Sequence, residues 1–234
     1  MTIIGTRTTT KALHQLGEHF AAGYMEQPGA SPMQRWSRAV RRRFECRSLP
    51  SYAGQSLYPA GPVRCGNEDR ILSPSYSFTW SYDAAALDQR QASAEGSERQ
   101  ALSLLHADLQ DVAAQLDLIT TVHTVGGKGY THSIPNYGRL LSEGLDGYSE
   151  RITSHLSQAT TRGDVDATDF YLGLLDVIVG VRSWHHRLLE QLRHSSCAEP
   201  ADEHRRQRLI EALERVPCRP ASSFFEAVVA YNFC

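Results

Sequence analysis

The segment that most constrains the fold is residues 167–195, which spans about eight helical turns without a proline. Its large apolar side chains recur at helical spacing and share one face: Phe170, Leu174, Val177, Val181, Trp184, Leu188 and Leu192. A helix this long with one apolar stripe is stable only when another element covers that stripe. The segment therefore predicts a fold in which long helices pack on one another.

Helical periodicity continues through much of the remaining chain. Further helices are predicted over four segments: residues 11–27, 98–120, 136–159 and 201–215. Ser31 and Pro32 provide a side-chain cap and a first-turn residue for another helix, which carries Met33, Trp36, Val40 and Phe44. We therefore predict that the chain as it stands is mainly α.

Residues 47–83 interrupt this pattern, because four prolines and three glycines prevent long regular helices. The segment is also rich in aromatic residues, which predicts that it packs against other parts of the protein. From residue 76 to residue 82 the aromatics alternate with serine or threonine, as in a short strand or extended segment. We expect strands to be few and confined mainly to residues 50–82.

Charge and composition argue against several classes of function. The 234 residues carry a formal net charge of −2 and no basic stripe, which argues against nucleic acid as a partner. No apolar run approaches the roughly 20 residues of a membrane span, and the N-terminus lacks a secretory signal. The five cysteines form no CxxC pair, which predicts no metal site and free thiols in a reducing cytoplasm.

The stretch GYTHSIPNYGRLLSEGLDGYSERI, residues 129–152, joins a glycine-rich bend to a predicted helix. Pro135 and Asn136 suit the beginning of that helix. His132 lies in the bend, where it could either form a hydrogen bond with a substrate or brace the bend before the helix. Both roles remain open on the residues alone.

The last segment, residues 222–234, is predicted to form a helix with almost no polar face. Phe224, Val228 and Tyr231 share one side, and three further apolar residues lie close beside it: Phe225, Val229 and Phe233. A helix that is apolar all round is normally buried. We therefore expect its apolar sides to be incompletely covered in this chain, and further sequence to cover them in a longer protein.

Several of these motifs resemble, in order, the N-terminal region of glycyl radical enzymes of the pyruvate formate-lyase and glycerol dehydratase type. Residues 129–147 are similar to the family's G-x-G-H-x-x-P-[DN]-Y-x-[KR]-[LV]-L-x-x-G-L-x-G segment, with Thr131 in place of the usual glycine. Residues 209–233, LIEALERVPCRPASSFFEAVVAYNF, resemble its IAEICRWVPxxPPxTFHEALQxxWF segment. Weaker likenesses occur at residues 18–42, 73–83 and 166–192.

The resemblance implies a ten-stranded α/β barrel wrapped in helices, to which residues 1–234 would contribute mainly the N-terminal outer helices. The family also needs a cysteine on a barrel loop, which becomes a thiyl radical, and a C-terminal glycine that stores the radical. No segment of this sequence matches either part, although CAEP at Cys197 superficially imitates the cysteine loop. The resemblance therefore implies the N-terminal part of a truncated pyruvate formate-lyase-type domain, inactive by itself.

For the intact parent, the resemblance implies a lyase, dehydratase or acyltransferase of anaerobic metabolism that acts on a small organic substrate by thiyl-radical hydrogen abstraction. A separate radical-SAM activating enzyme would be a partner and would install the glycyl radical in the C-terminal part. No bound cofactor and no catalytic residue are expected within residues 1–234. A homodimer of the full-length parent is compatible with the resemblance.

The residues predicted to contact substrate are His132, Tyr76, Phe78 and Trp80. The resemblance implies that the three aromatics form part of a dry cavity wall, which protects a radical from solvent. Their other role would be plain packing against the helical layer. A rival function from another class also remains, namely a non-catalytic helical remnant or a module that binds a partner.

Overall fold

The computed structural model describes residues 7–59, 71–74, 80–82, 84–118, 136–197 and 199–233. Its helices are α1 (Thr10–Gln15), α2 (His19–Met25), α3 (Pro32–Cys46), α4 (Ala84–Ser93), α5 (Gly96–Leu118), α6 (Tyr137–Thr161), α7 (Val165–His194), α8 (Pro200–Leu213) and α9 (Phe224–Phe233). Its strands are β1 (Leu72–Pro74) and β2 (Trp80–Tyr82). The prediction of a mainly α chain is confirmed, and the strands of the described residues fall within residues 50–82.

Most helix boundaries follow the sequence signals closely. The helices predicted at 98–120, 136–159, 167–195 and 201–215 correspond to α5, α6, α7 and α8. Ser31 caps α3 as predicted, because its hydroxyl accepts a hydrogen bond from the Gln34 amide at 3.1 Å while Pro32 occupies the first turn. Local capping chemistry therefore fixes the residue at which α3 begins.

The prediction of one helix over residues 11–27 is wrong, because Gly17 divides the segment into α1 and α2. Gly17 has a φ of 79°, a left-handed conformation that ends a helix and favours glycine. The Glu18 amide then donates to the Leu13 carbonyl at 2.9 Å. The apolar periodicity continues across the break because Leu13 and Phe20 are both buried, so the pattern did not reveal it.

Helix α4 was not predicted from the sequence. Its ten residues, AAALDQRQAS, favour a helix by composition but form no broad apolar stripe. Leu87 is the one large apolar residue within it, and that side chain is 1% exposed. A single buried leucine gives too little periodicity for the element to be recognised.

The chain divides into two compact units, of which the first comprises residues Met1–Pro28 and Glu68–Ser133. It contains α1, α2, α4, α5 and the antiparallel pair β1–β2, in which Leu72 lies opposite Tyr82 and Pro74 opposite Trp80. Its buried core comprises Ala12, Leu13, Leu16, Ala21, Ala22, Ile71, Leu72, Leu87, Ala94, Ala101, Leu102, Leu105 and Leu109.

A buried carboxylate holds the described N-terminal end in this first unit. Asp108 on α5 is fully buried and accepts hydrogen bonds from the Thr8 amide at 2.7 Å and the Thr8 hydroxyl at 2.6 Å. The Arg7 amide donates to the same carboxylate at 3.3 Å. A buried charge is tolerated when donors surround it in this way.

We expect Asp108→Asn to lower the free energy of unfolding by about 2–3 kcal/mol, because the amide would place N–H donors against the Thr8 donors. The measurement is urea unfolding followed by circular dichroism. The control is Asp111→Asn, whose side chain is 56% exposed and whose loss should change the stability by less than about 0.5 kcal/mol. Equal effects of the two substitutions would contradict the prediction.

The second unit comprises Gly29–Asn67 and Ile134–Cys234 and is organised by the packing of α3 on α7. The two backbones approach closely at Gly180, where an added Cβ would lie 2.7 Å from the Cα of Arg41. Arg41 also pairs with Asp176 of α7 at 2.7 Å. Because glycine leaves space for the α3 backbone, the apolar stripe of α7 can reach its neighbours.

The core of this unit includes the aromatic residues of the 47–59 region. Tyr52 and Tyr58 are buried and meet edge to face at 5.8 Å between ring centroids. They pack with Trp184, Leu188 and other apolar residues of α7, α8 and α9. The prediction that this aromatic segment is packed is therefore confirmed for Tyr52 and Tyr58. Across the described residues, none of the helices combines the length and apolarity needed to cross a bilayer.

Candidate functional site

Three of the four predicted substrate contacts, His132, Tyr76 and Phe78, lie outside the described residues. For Trp80 the structure describes the backbone, which lies in β2 opposite Pro74. The role proposed for each of these residues therefore stays a prediction. The described residues begin again at Asn136, directly after the bend that contains His132.

Asn136 fixes the first turn of α6. Its side-chain oxygen accepts a hydrogen bond from the Arg139 amide at 3.0 Å, which satisfies one of the unpaired donors at the helix start. The helix-start interpretation of the 129–152 stretch is thus confirmed at Asn136.

Two turns later, α6 is kinked at Gly144. Its φ of 66° and ψ of −177° are non-helical and belong to a region of backbone space that is essentially restricted to glycine. The amides freed by the kink bond outside the helix, Leu145 to the Pro217 carbonyl and Asp146 to the Cys218 carbonyl, both at 2.9 Å. The segment after α8 therefore provides the carbonyl acceptors that residues of α6 would provide in an unkinked helix.

The same segment bonds to α6 once more, because the Ala221 amide donates to the Leu141 carbonyl at 3.0 Å. We call residues 217–221, PCRPA, the inserted segment. No side chain fits between it and Gly144, since an added Cβ would lie 2.7 Å from the carbonyl carbon of Arg219. Gly144 is therefore required by this close approach as well as by its backbone angles.

A cysteine–histidine pair lies on the α7 side of the inserted segment. His185 is 8% exposed, and its Nε2 is 2.7 Å from the Leu213 carbonyl oxygen, so Nε2 carries the proton and donates. Its Nδ1 is then an acceptor that faces the Cys218 Sγ at 3.8 Å. Phe233 of α9 contacts the imidazole edge to face, with 5.5 Å between centroids.

Burial keeps both members of the pair neutral. Desolvation lowers the pKa of His185 below its usual value, and the hydrogen bond to the Leu213 carbonyl opposes this only in part. Desolvation also raises the pKa of the Cys218 thiol. The proton therefore stays on sulfur, and the pair is not an ion pair of thiolate and imidazolium, which a cysteine nucleophile requires. The contact between Cys218 and His185 joins the inserted segment to α7.

The lowered pKa of His185 predicts that the chain loses stability in mild acid. The unfolded chain binds a proton near pH 6.5 while the folded chain does not, so this contribution is present above that pH and is lost below it. We expect the free energy of unfolding to fall as pH drops below the unfolded pKa, with a slope below the limit of about 1.4 kcal/mol per pH unit for one proton. Urea unfolding at a series of pH values measures it.

His185→Gln should remove that part of the pH slope. His186→Gln should keep most of it, because His186 is exposed and its charge is a smaller cause of the His185 shift than burial is. The two positions are adjacent, so the pair of variants separates burial from local helix effects. Identical slopes in both variants would show that His185 is not the group responsible.

The role of His185 was not predicted from the sequence, and Cys218 was expected only to be one of five free thiols. A usable signal for the histidine was its place between Val181 and Leu188 on the apolar stripe of α7. A histidine at that spacing faces the core and needs a buried partner. The identity of that partner depends on the path of the inserted segment, which periodicity does not describe. The neighbouring His186 is exposed, and Glu190, one turn further along α7, accepts a hydrogen bond from Arg193 at 2.6 Å.

A comparison with family models matches residues 97–234 to the family described as pyruvate formate lyase-like. The comparison with curated proteins finds no match. Among solved structures, a protein of 1,2-propanediol dehydration in Roseburia inulinivorans matches with a TM-score of 0.66 and 14% identity. The match covers 98% of this chain and 31% of that one.

Two further solved structures give the same result. The B12-independent glycerol dehydratase from Clostridium butyricum matches with a TM-score of 0.63 and 12% identity, over 98% of this chain and 34% of that chain. A glycyl radical enzyme from Archaeoglobus fulgidus matches with a TM-score of 0.55 and 16% identity, over 97% and 31% respectively. The present chain thus spans about a third of the length of these proteins.

Proposed function

The chain belongs to the pyruvate formate lyase-like family, and from this premise we propose that it serves as the N-terminal part of a glycyl radical enzyme. The proposed reaction is that of a lyase, dehydratase or acyltransferase on a small organic substrate. The partners would be that substrate and a radical-SAM activating enzyme, with a homodimer as the proposed assembly. The proposed location is the cytoplasm, and the proposed setting is anaerobic metabolism.

One observation supports this proposal most directly. The two motifs that carry the resemblance, residues 129–152 and residues 209–233, are far apart in sequence but lie against each other in the structure. Leu145 and Asp146 of the first motif donate to Pro217 and Cys218 of the second. The glycine of the first motif, Gly144, is what permits that contact. The two motifs therefore pack together as one structural unit.

In the proposed enzyme, a glycyl radical would supply a thiyl radical that takes a hydrogen atom from the substrate. Residues 1–234 would form walls of the substrate cavity and would position the substrate within it. Cys197 is half-buried and follows α7, where it packs with the core of the second unit. We propose that Cys197 is a packing residue at this place and not the family's barrel-loop cysteine.

The test begins with the coding sequence downstream of codon 234. An in-frame continuation with a cysteine loop and an R-V-x-G-Y segment would support the enzyme, and a stop codon would support the helical remnant or partner-binding module. The complete product is then incubated anaerobically with its activating enzyme and S-adenosylmethionine. We expect a glycyl radical signal by electron paramagnetic resonance, and no such signal from residues 1–234 alone.

The role of His132 is tested in that complete enzyme with His132→Gln. If His132 binds the substrate, KM should rise by about 10-fold or more, as for loss of a polar contact, while the radical yield stays unchanged. His186→Gln, at an exposed position of α7, is the control and should match the unaltered enzyme. A fall in radical yield and thermal stability with an unchanged KM would instead assign His132 to the bend.

A further inference from the structure

Two histidines of the first unit face each other across the turn between α1 and α2. His14 lies in the last turn of α1, and His19 is the first residue of α2. Gly17 reverses the chain between them through its left-handed conformation. The two Nδ1 atoms are 3.2 Å apart, and the ring planes are inclined by 37°.

The turn is held firmly, although both imidazoles are only half-buried. Leu13, Leu16 and Phe20 surround the two histidines in sequence and have exposures of 0%, 3% and 9%. These anchors fix the ends of α1 and α2 in the core. A side-chain pair carried by anchored backbone keeps its geometry better than a pair on a free loop.

A carboxylate stands behind one of the rings. The Oε1 atom of Glu26 is 3.4 Å from Nε2 of His14, the nitrogen on the far side from His19. A carboxylate there favours the tautomer with the proton on Nε2, which leaves a lone pair on Nδ1. The His14 side chain is 32% exposed, so that an ion in solution can reach the pair.

We propose that His14 and His19 form a two-imidazole site for a divalent transition metal such as Zn²⁺, with Glu26 as the group that orients His14. Two imidazole nitrogens bound tetrahedrally to Zn²⁺ lie about 3.3 Å apart, given zinc–nitrogen bonds of about 2.0–2.1 Å. The 3.2 Å separation agrees with that value. Histidines that bind metals commonly donate their other N–H to a carboxylate, as Glu26 allows here.

The tautomers that the two rings can adopt also allow a metal to bind. Without an ion, one Nδ1 must donate to the other, so one ring carries its proton on Nδ1. Binding requires that this proton move to Nε2 of the same ring, which leaves both imidazoles neutral and both Nδ1 lone pairs directed at the ion. Two protein ligands leave further coordination positions for water, as in an open metal site.

The experiment titrates Zn²⁺ into the chelator-treated full chain and measures binding by calorimetry. We expect saturable binding whose affinity falls at least tenfold in His14→Gln and in His19→Gln. Glu26→Gln should weaken it by about 10–100-fold, the effect typical of an orienting group. His106→Gln is the control, because the ring nitrogens of His106 lie near Gln91 and Gln110 instead, and it should bind as the unaltered chain does.

Circular dichroism in the presence of chelator checks that each variant is folded. If a variant does not fold, Cu²⁺ bound to the unaltered chain decides the question by electron paramagnetic resonance. Hyperfine splitting from two equivalent imidazole nitrogens supports the site, whereas splitting from one or none overturns it. Unchanged Zn²⁺ affinity in the folded double variant His14→Gln/His19→Gln also overturns it.

Discussion

Replacement of Gly144 by alanine should lower the free energy of unfolding by roughly 2–6 kcal/mol. Two costs add in this variant. The backbone at φ 66° and ψ −177° is a region that costs a side-chain-bearing residue about 1–3 kcal/mol. The new methyl group would also press on the inserted segment, 2.7 Å from the Arg219 carbonyl carbon, and such overpacking costs about 1–3 kcal/mol.

Gly163→Ala is the matched control for this variant. Gly163 also has a positive φ, 68°, but an added Cβ there would have nothing within 4 Å. The control therefore carries the backbone cost alone, and we expect a loss of about 1–2 kcal/mol. Urea unfolding of both variants, followed by tryptophan fluorescence, gives the difference. A Gly144→Ala loss no larger than that of Gly163→Ala would mean that the inserted segment moves away easily.

The functional consequence follows from the position of the kink. The inserted segment bonds to α6 at Leu141, Leu145 and Asp146, within three turns of the start of α6, which in sequence follows the predicted bend that carries His132. If the inserted segment no longer bonds to α6, the hydrogen bonds that hold the kink are lost, and the direction of α6 should change. We therefore expect Gly144→Ala in the proposed full-length enzyme to reduce the radical yield and the stability together.

The features that the sequence predicted are those in which a few neighbouring residues decide the outcome. Ser31 with Pro32, and Asn136, are capping residues whose effect is local. The stripe of α7 is recognised by its helical periodicity. Its C-terminal members Trp184, Leu188 and Leu192 are buried, whereas Phe170 at its N-terminal end is 47% exposed. Capping and periodicity together therefore predicted the main helices of both units and the mainly α fold.

The features that the sequence did not predict depend on contacts between distant segments. Gly17 and Gly144 both adopt positive φ, yet a glycine in a helical pattern does not by itself reveal whether it breaks the helix. Gly173 and Gly180 stay within α7 without a break. The pairing of His185 with Cys218 likewise depends on where the chain returns after α8. These details are decided by tertiary packing, which local patterns do not contain.

Helix α9 exposes apolar side chains on one side, which should make the chain associate. The prediction of a helix at residues 222–234 with incompletely covered apolar sides agrees with the structure, in which Phe224 is 86% and Tyr231 is 56% exposed. These residues are two turns apart and share a face. The opposite side is covered, since Val229 is fully buried and Phe225 contacts the Arg208 guanidinium at 4.5 Å.

Each large apolar side chain left in water forgoes on the order of 1.5–3 kcal/mol of burial. Contiguous exposed apolar surface favours association. We therefore expect residues 1–234 to bind a hydrophobic dye and to self-associate, as measured by dye fluorescence and by analytical ultracentrifugation. Phe224→Ser should reduce both signals several-fold, since it removes the most exposed aromatic ring of α9.

Val165→Ser controls for the general effect of removing an exposed apolar residue. Val165 is 77% exposed at the beginning of α7, so this substitution matches Phe224→Ser in exposure and in the residue introduced. Dye binding should change little in Val165→Ser, because that valine is small and lies on another helix. If residues 1–234 remain monomeric and bind no dye, the α9 face is covered by the chain's own residues. The proposal of a larger enzyme would then depend on the inserted segment and the family match, without support from this surface.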